Sequence, residues 1–263
     1  MARKIVVTSG KGGVGKTTLV VNLGYALSKL DKKVLVVDMD FGLNNLDVVL
    51  GVENKIVYDI FDCLEGKCRA SQAIIEHFDC PNLHILPTNR TFCPRVDDNS
   101  IKIILDEIED SYDFILIDCP AGIDNSFSRA VNLANEAIIV TTPHISSVRD
   151  ADKVQTLLDN YSISPIWLVV NRARGDMMLN GEMININTIA EYLSLNLLGV
   201  VPEDDCISVQ LLSGGMVGQN NQAYIAYSMI ANRLLFGSSE IYDCTAKYKG
   251  LIGGIRKKLK KYI

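Results

Sequence analysis

The sequence lacks the marks of a membrane-spanning, secreted or metal-cluster protein. No run approaches the roughly 20 apolar residues that a transmembrane helix needs, and the short basic start before the first apolar strand does not resemble a signal peptide. The seven cysteines form no C-x-x-C pair, and none lies at zinc spacing from a histidine, which argues against an iron–sulfur carrier or a zinc site. We therefore expect a cytoplasmic protein with reduced thiols.

Acidic residues are also missing from the end of the chain. After Asp243 every charged side chain is basic, although the 263 residues together carry a formal charge of −5. Setting those seven cations aside leaves 19 Lys and Arg against 31 Asp and Glu, a net charge of −12. An acidic body with a basic tail indicates that the tail has an anionic partner of its own, and it makes the body poorly suited to nucleic acid.

Short apolar runs recur along the chain with helical patterns between them. The runs cover residues 5–8, 34–38, 83–87, 114–118, 137–141, 166–171 and 197–202, and the main helical patterns cover 17–29, 100–109, 147–161 and 222–235. Runs that are apolar on both faces belong to a parallel sheet that is covered on both sides. The alternation predicts an α/β fold with a doubly wound, mostly parallel sheet flanked by helices, and ligands beyond the carboxyl ends of the strands.

A glycine-rich loop follows the first predicted strand. Residues 10–17 fit the pattern G-x-x-x-x-G-K-[ST], in which backbone N–H groups surround phosphate oxygens, a lysine neutralises the β- and γ-phosphates and a hydroxyl binds Mg²⁺. A glycine-rich turn without a ligand is the alternative, but the strand before and the helix after favour a P-loop NTPase with ATP and Mg²⁺ as cofactors. The predicted nucleotide-binding residues of the loop are Gly10, Lys11, Gly12, Gly13, Val14, Gly15, Lys16, Thr17 and Thr18.

A second lysine inside this loop is unusual. Residues 11–17 match K-G-G-x-G-K-[ST], so the chain resembles the deviant Walker A family of P-loop ATPases. The resemblance implies a homodimer that forms with ATP, in which Lys11 reaches the partner's phosphates and stabilises developing charge. Lys11 and Lys16 are accordingly predicted to be catalytic. A solvated lysine that only raises the local potential is the alternative for Lys11.

Two other predicted strands end in carboxylates. Asp38 and Asp40 follow one apolar run, and Asp118 ends another in the form of a Walker B strand. The resemblance implies that Asp40 orients the attacking water, and helix capping is the alternative for Asp38 and Asp40. Thr17, Asp38 and Asp118 are the predicted metal residues, with Asp118 acting through water because Mg²⁺ dehydrates reluctantly.

The other end of the nucleotide is expected near the last strands. Asn171 and Arg172 close the run at 166–171, and Pro202 closes the run at 197–202, where the resembled family holds adenine. An amide offers one donor and one acceptor to the adenine edge, which favours Asn171. A plain turn is the alternative for the segment at Pro202.

The resemblance narrows to the septum-site-determining branch of the family. It is carried by residues 1–18, 42–47, 57–59, 85–87, 118–123 and 146–150, which together span most of the chain. By this likeness the protein helps to place the division septum with a MinC-like division inhibitor and, as a further partner, a MinE-like activator. Arg149, Asp150 and Asp152 are the predicted partner-binding residues, and a solvated helix start is the alternative. Nothing is assigned to His144.

The basic tail has the pattern of a membrane-surface helix. Tyr248 and the apolar residues after it share an arc of roughly 120° on a helical wheel, with lysines on the rest. We predict a P-loop domain over residues 1–243, then a linker and membrane-targeting amphipathic helix over 244–263, peripheral on the inner face of the cell membrane. The predicted membrane residues are Leu251, Ile252, Ile255, Leu259, Lys257 and Lys258. A final helix packed on the body is the alternative.

Three other functions fit the sequence less well than this prediction. A DNA-partition ATPase of the same fold would need basic residues spread over the body, which is acidic here. An iron–sulfur carrier would need paired cysteines. A flagellar-number regulator also has a membrane tail, and the start of the chain directly at the first strand favours the division branch over it.

Overall fold

The computed structural model describes residues 1–41, 46–88, 98–213 and 216–249. The strands are β1 (Arg3–Thr8), β2 (Val34–Asp38), β3 (Ile75–His77), β4 (Cys80–Leu86), β5 (Phe114–Asp118), β6 (Glu136–Thr141), β7 (Ile166–Ala173) and β8 (Asn196–Pro202). None of the helices described in these ranges is long and apolar enough to cross a membrane.

Helices follow most of the strands. They are α1 (Lys16–Ser28), α2 (Leu46–Leu50), α3 (Ile60–Leu64), α4 (Ala70–Ala73), α5 (Asp98–Ile108), α6 (Asn125–Asn132), α7 (Ile145–Leu158), α8 (Gly175–Leu179), α9 (Ile186–Leu193), α10 (Asp205–Ser213) and α11 (Gln222–Phe236). Short 3₁₀ turns lie at Glu53–Lys55, Glu109–Ser111 and Ala246–Tyr248.

The described strands form one sheet in the order β3-β4-β2-β5-β1-β6-β7-β8. Every neighbouring pair is parallel except β3 and β4. The predicted doubly wound, mostly parallel sheet is therefore confirmed. Strand β3 was missed, because three residues on the sheet edge, with a register shift between Glu76 and His77, give no periodic signal.

The sheet is covered on both faces because neighbouring residues of its central strands are all apolar. In β1, Ile5 and Val7 pack into the layer that contains α1 and α11, whereas Val6 packs into the layer that contains α5, α7 and α9. All three side chains are fully buried. Burial on two faces holds the carboxyl ends of the strands in fixed positions, and the predicted site residues lie at that edge.

The chain beyond residue 243 stays packed on the body for several residues. Cys244 clusters with Ala173 and Val200, and a Cβ atom on Gly175 would lie 2.0 Å from the carbonyl oxygen of Cys244. Tyr248 is buried as well, in the 3₁₀ turn at Ala246–Tyr248. The packed part of the chain therefore continues past residue 243, and the domain boundary stays a prediction. The tail residues from 251 onward lie outside the described ranges, so their membrane role stays a prediction.

A buried cation joins β1 to the end of α5. The Lys4 ammonium binds Asp106 and lies 2.6 Å from a carboxylate oxygen of Glu109, and the Lys4 and Glu109 side chains are only 8% and 11% exposed. Burial alone would lower the pKa of Lys4, but the bonds to the two carboxylates outweigh it and raise the pKa. Lys4 therefore stays charged, and it neutralises an almost fully buried Glu109.

Removing this cation is expected to destabilise the fold strongly. Lys4→Ala leaves Glu109 buried without its partner, so we expect the free energy of unfolding at neutral pH to fall by about 3 kcal/mol. The control is Lys153→Ala, because Lys153 is 67% exposed in its pair with Asp150 and its loss should cost less than about 1 kcal/mol. Urea unfolding measures both. Equal costs for the two variants would contradict a structural role for the buried pair.

Candidate functional site

The glycine-rich loop links the end of β1 to the start of α1. Gly15 precedes the helix with φ of 96°, a left-handed conformation that side chains other than glycine rarely adopt. A Cβ atom at Gly15 would lie 2.2 Å from Nδ2 of Asn171, and one at Gly10 would lie 2.3 Å from the carbonyl oxygen of Asp150. Glycine is thus required at both ends of the loop, because Asn171 of β7 packs against Gly15 and Asp150 of α7 packs against Gly10.

The two lysines of the loop have opposite surroundings. The Lys16 side chain is buried, and its ammonium donates a hydrogen bond of 3.2 Å to the Ser9 hydroxyl, which in turn donates to the carbonyl oxygen of Lys11. Lys11 is exposed and lines an open cavity of about 380 Å³. Lys16 therefore faces into its own loop, whereas Lys11 is available to a group that approaches from outside.

Two carboxylates meet at the ends of neighbouring strands. Asp38 ends β2 and Asp118 ends β5, and the two residues are paired in the parallel register. Both are buried, at 2% and 3% exposure. Asp38 caps no described helix; its Oδ1 instead accepts the backbone N–H of Asp40 at 2.9 Å. The alternative of a helix cap at Asp38 is therefore not what the described residues show.

Burial and like charge hold these carboxylates toward the neutral form. Burial raises the pKa of Asp118 to about 7, against the smaller lowering effects of the nearby Thr17 hydroxyl and Lys16. Burial, followed by the charge of Asp118, raises the pKa of Asp38 well above its ordinary value. The Oδ1 atom of Asp118 is buried without a hydrogen-bond partner among the described residues. This edge of the sheet thus concentrates buried carboxylate oxygens near Lys16.

Asn171 is placed against the phosphate loop. Its Nδ2 donates to the carbonyl oxygen of Val14 at 2.8 Å, and its Oδ1 accepts the backbone N–H of Arg172 at 2.9 Å. Arg172 adopts φ of 54°. Pro202 ends β8 and pairs with Ala173 of β7. The predicted adenine residues are therefore brought to one edge beside the loop, and their contact with adenine stays a prediction.

The predicted partner residues of α7 do not share one environment. Asp150 packs against Gly10 of the phosphate loop and bonds Lys153 at 3.2 Å. Arg149 is exposed and lines a separate cavity of about 290 Å³ together with Ile145, Tyr192 and neighbouring residues of α7 and α9. Asp152 is partly exposed. Asp150 thus belongs to the loop's surroundings as much as to the helix surface.

Some residues of the site were missed by sequence reasoning. The cavity beside Lys11 is also lined by His144, Ser146 and Ser147 at the start of α7 and by Glu203 after β8. Their position in the sequence could have identified them, because they follow the predicted runs at 137–141 and 197–202. Ligands in such folds lie beyond the carboxyl ends of the strands. Ser9, which holds Lys16, was missed because it lies just before the motif.

Replacing Asp118 is expected to stabilise the nucleotide-free protein at alkaline pH. The carboxyl has an ordinary pKa of 3.8 and a folded pKa of about 7. Between these values the unfolded state ionises while the folded state keeps its proton, so stability falls as pH rises through this window. Asp118→Asn removes that loss, which is about 1.4 kcal/mol for each unit of pKa shift.

Urea unfolding of wild type and Asp118→Asn across this pH range measures the effect. The two proteins should differ most above pH 7 and converge near pH 4. The control is Asp110→Asn, since Asp110 is 88% exposed and should show no such divergence. A variant that is no more stable than wild type at pH 8 would show that the carboxylate is not strained by burial.

Comparison with known proteins identifies the family. A family model described as an AAA domain matches residues 2–162. The septum site-determining protein MinD of Bacillus subtilis (strain 168) is 44% identical over 262 residues, covering 97% of this chain and 97% of that protein.

Solved structures of the same family superpose closely. MinD in the MinC:MinD cell division protein complex of Aquifex aeolicus gives a TM-score of 0.86 at 39% identity, covering 92% of this chain and 98% of that chain. MinD of Pyrococcus horikoshii, solved with Mg-ADP, gives a TM-score of 0.77 at 31% identity, covering 91% of this chain and 98% of that chain. Sequence and structure agree over nearly the whole length, and the chain belongs to the MinD family of septum site-determining P-loop ATPases.

Proposed function

We propose that this protein is an ATP-hydrolysing switch that helps to place the division septum. Two copies pair around two ATP molecules, the pair stays on the inner face of the cell membrane, and there it recruits a MinC-like division inhibitor. The observation that carries the proposal is the contrast between the two lysines of the loop, Lys16 buried and Lys11 exposed. One lysine serves the bound nucleotide, and the other is free for the nucleotide of the partner.

The loop residues would hold the phosphates of ATP. The N–H groups of residues 10–15 and the start of α1 supply partial positive charge, and Lys16 supplies a full one. Lys16 is already positioned by Ser9, so it needs little reordering when phosphate arrives. Lys11 of the partner copy would add a second cation at the γ-phosphate as charge develops there.

The carboxylates at the strand ends fit a magnesium ion. Mg²⁺ prefers oxygen ligands, and Asp118, beside Thr17 and Asp38, offers a buried oxygen that no described residue hydrogen-bonds. When bound, the ion neutralises charge on the phosphates. Thr17 and Asp118 would hold it, and Asp38 would share its outer surroundings. The loss of protons from these carboxyls on binding follows from their raised pKa values.

We propose that Asp40 orients the attacking water. It lies two residues beyond β2, and its backbone N–H is tied to Asp38. Its side chain is only partly buried, so a water molecule has access to it. The next residue, Phe41, packs edge-on against the ring of Phe61 with centroids 5.0 Å apart, and this contact holds the residue beside Asp40.

The dimer mechanism predicts how ATP turnover responds to concentration and to two substitutions. Turnover per molecule should rise with protein concentration in the presence of anionic vesicles, because hydrolysis requires the pair. Lys11→Ala should lower turnover by about 100-fold and remove the concentration dependence. Asp40→Ala should lower turnover while the pair still forms with ATP, because it removes only the water-orienting group.

Phosphate release and light scattering measure turnover and pairing together. Lys102→Ala is the matched control for Lys11, since Lys102 is exposed on α5 and does not line the cavity beside Lys11, and it should behave as wild type. A wild-type rate per molecule that does not change with concentration would contradict the dimer mechanism.

The tail would supply the membrane contact. Its first residues are fixed to the body, since Cys244 and Tyr248 are buried and Gly175, directly beyond β7, packs against Cys244. The tail therefore starts near the carboxyl edge of the sheet, the same edge that carries the nucleotide. One short amphipathic helix binds lipid marginally, and two on one dimer bind with avidity because the second contact forms at high effective concentration.

Sedimentation with anionic vesicles tests this coupling. Wild type should pellet about 100-fold more strongly with ATP than with ADP, and Ile255→Glu should abolish pelleting in both states because it places a charge on the apolar arc. Ile103→Glu is the matched control, since Ile103 is 67% exposed on α5 and should pellet as wild type does. Equal pelleting of the wild type with ATP and ADP would contradict the switch.

The partner surface is proposed around Arg149, Asp150 and Asp152. The A. aeolicus relative was solved as a MinC:MinD complex, which supports a MinC-like partner for this chain. Asp150 contacts the phosphate loop through Gly10, so binding at α7 is suited to sense the nucleotide. A MinE-like activator of hydrolysis is proposed for the same helix.

A further inference from the structure

Two cysteines lie side by side at the end of α3, outside the residues used for nucleotide binding. The sulfur atoms of Cys63 and Cys68 are 3.4 Å apart, and both residues are partly exposed. The four residues between them turn back on the helix, with backbone N–H bonds from Gly66 to Cys63 and from Lys67 to Asp62. Gly66 adopts φ of 72°, which a tight turn of this kind requires.

The distance leaves little to close. A disulfide has a sulfur–sulfur bond of about 2.05 Å, so the two atoms, now 3.4 Å apart, need to approach by only about 1.4 Å. We propose that Cys63 and Cys68 form a reversible intramolecular disulfide, a modification site at the end of α3. Among the described residues the other cysteines have no such neighbour: Cys80, Cys119 and Cys244 are buried, and Cys206 is exposed.

The exchange begins when the thiolate of one of the two cysteines attacks a small-molecule disulfide, which is the oxidant. The S–S bond of the small molecule breaks, a mixed disulfide forms on the protein, and one small thiolate leaves and takes up a proton.

The other cysteine then completes the exchange. After giving up its proton to solvent, it attacks the sulfur of the first cysteine, the mixed S–S bond breaks, and the second small thiolate departs and takes up a proton. Two protein thiols are oxidised to one disulfide, and one small disulfide is reduced to two thiols. The neighbouring sulfur makes this second step intramolecular, and excess thiol reverses both steps. A reversible bond of this kind suits a reducing compartment, where cytosolic disulfides are transient.

The helix that carries Cys63 also contacts the residue next to Asp40. Helix α3 is bound to the end of β4 by the N–H of Ile60 and the carbonyl oxygen of Pro87, and its buried Phe61 packs on Phe41 next to Asp40. The cysteines lie at the opposite end of the same short helix. The disulfide itself is independent of the proposed function, and its test requires no ATP turnover.

Exchange with oxidised glutathione on the folded, full-length reduced protein tests the proposal. Free thiols are then alkylated and the protein is digested with trypsin, which cleaves after Lys67 and separates the two cysteines. Peptides 56–67 and 68–69 should remain joined and should separate on reduction. Cys206 is the internal control, and it should carry glutathione. Separate, alkylated peptides under conditions that modify Cys206 would overturn the proposal.

Two single substitutions test the exchange. In Cys63→Ser and in Cys68→Ser, glutathione should remain on the cysteine that is left, because the resolving thiol is absent. Glutathione that stays on Cys63 or Cys68 of the wild type, in place of the internal disulfide, would overturn the proposal. The wild-type peptide map remains decisive if either serine variant folds poorly.

Discussion

The parallel register of β2 and β5 forces two carboxylates into one buried place. Asp38 and Asp118 are register partners, and each lies at the last position of a strand that is buried on both faces. Water cannot reach them well enough to stabilise two negative charges, so their pKa values rise. A cation must therefore be available for both to ionise, and the only buried ammonium at this edge in the described ranges is Lys16. The fold therefore places two buried carboxylates beside a single buried ammonium at the nucleotide site.

The backbone conformation of the phosphate loop is fixed by contacts on two sides. Asn171 of β7 donates to the carbonyl oxygen of Val14, and the backbone of Asp150 in α7 packs against Gly10. Both contacts require the loop to be without side chains at the points of approach, which explains glycine at positions 10 and 15 in terms of packing as well as phosphate binding. Preorganisation of this kind matters because donors that are already in place need no reordering when charge develops.

Most of the fold was predictable from the sequence, because the central strands are apolar on both faces and end in chemically distinctive residues. The run at 114–118 coincides with β5 for this reason. The remainder depends on tertiary contacts. Three residues of edge strand β3 have no pattern of their own, and the burial of Tyr248 is decided by the body rather than by the tail. The proximity of Cys63 and Cys68 depends on a turn at Gly66, and their spacing matches no common motif.

The candidate site likewise contains residues that local sequence motifs predict and residues that only tertiary contacts bring to it. Lys11, Lys16 and Asp118 stand in motifs whose spacing carries the chemistry, so their location at one edge could be foreseen. The role of Asp150 could not, because a residue of α7 touches the loop only when β6 and β1 are neighbours in the sheet. That neighbourhood has a consequence for the proposed switch. Gly10 of the loop lies directly against the backbone of Asp150, so the phosphate loop and the helix proposed for partners are in contact. In the proposed switch, coupling between the nucleotide and the partner would need no long path through the core, since one contact between a glycine and a helix joins them.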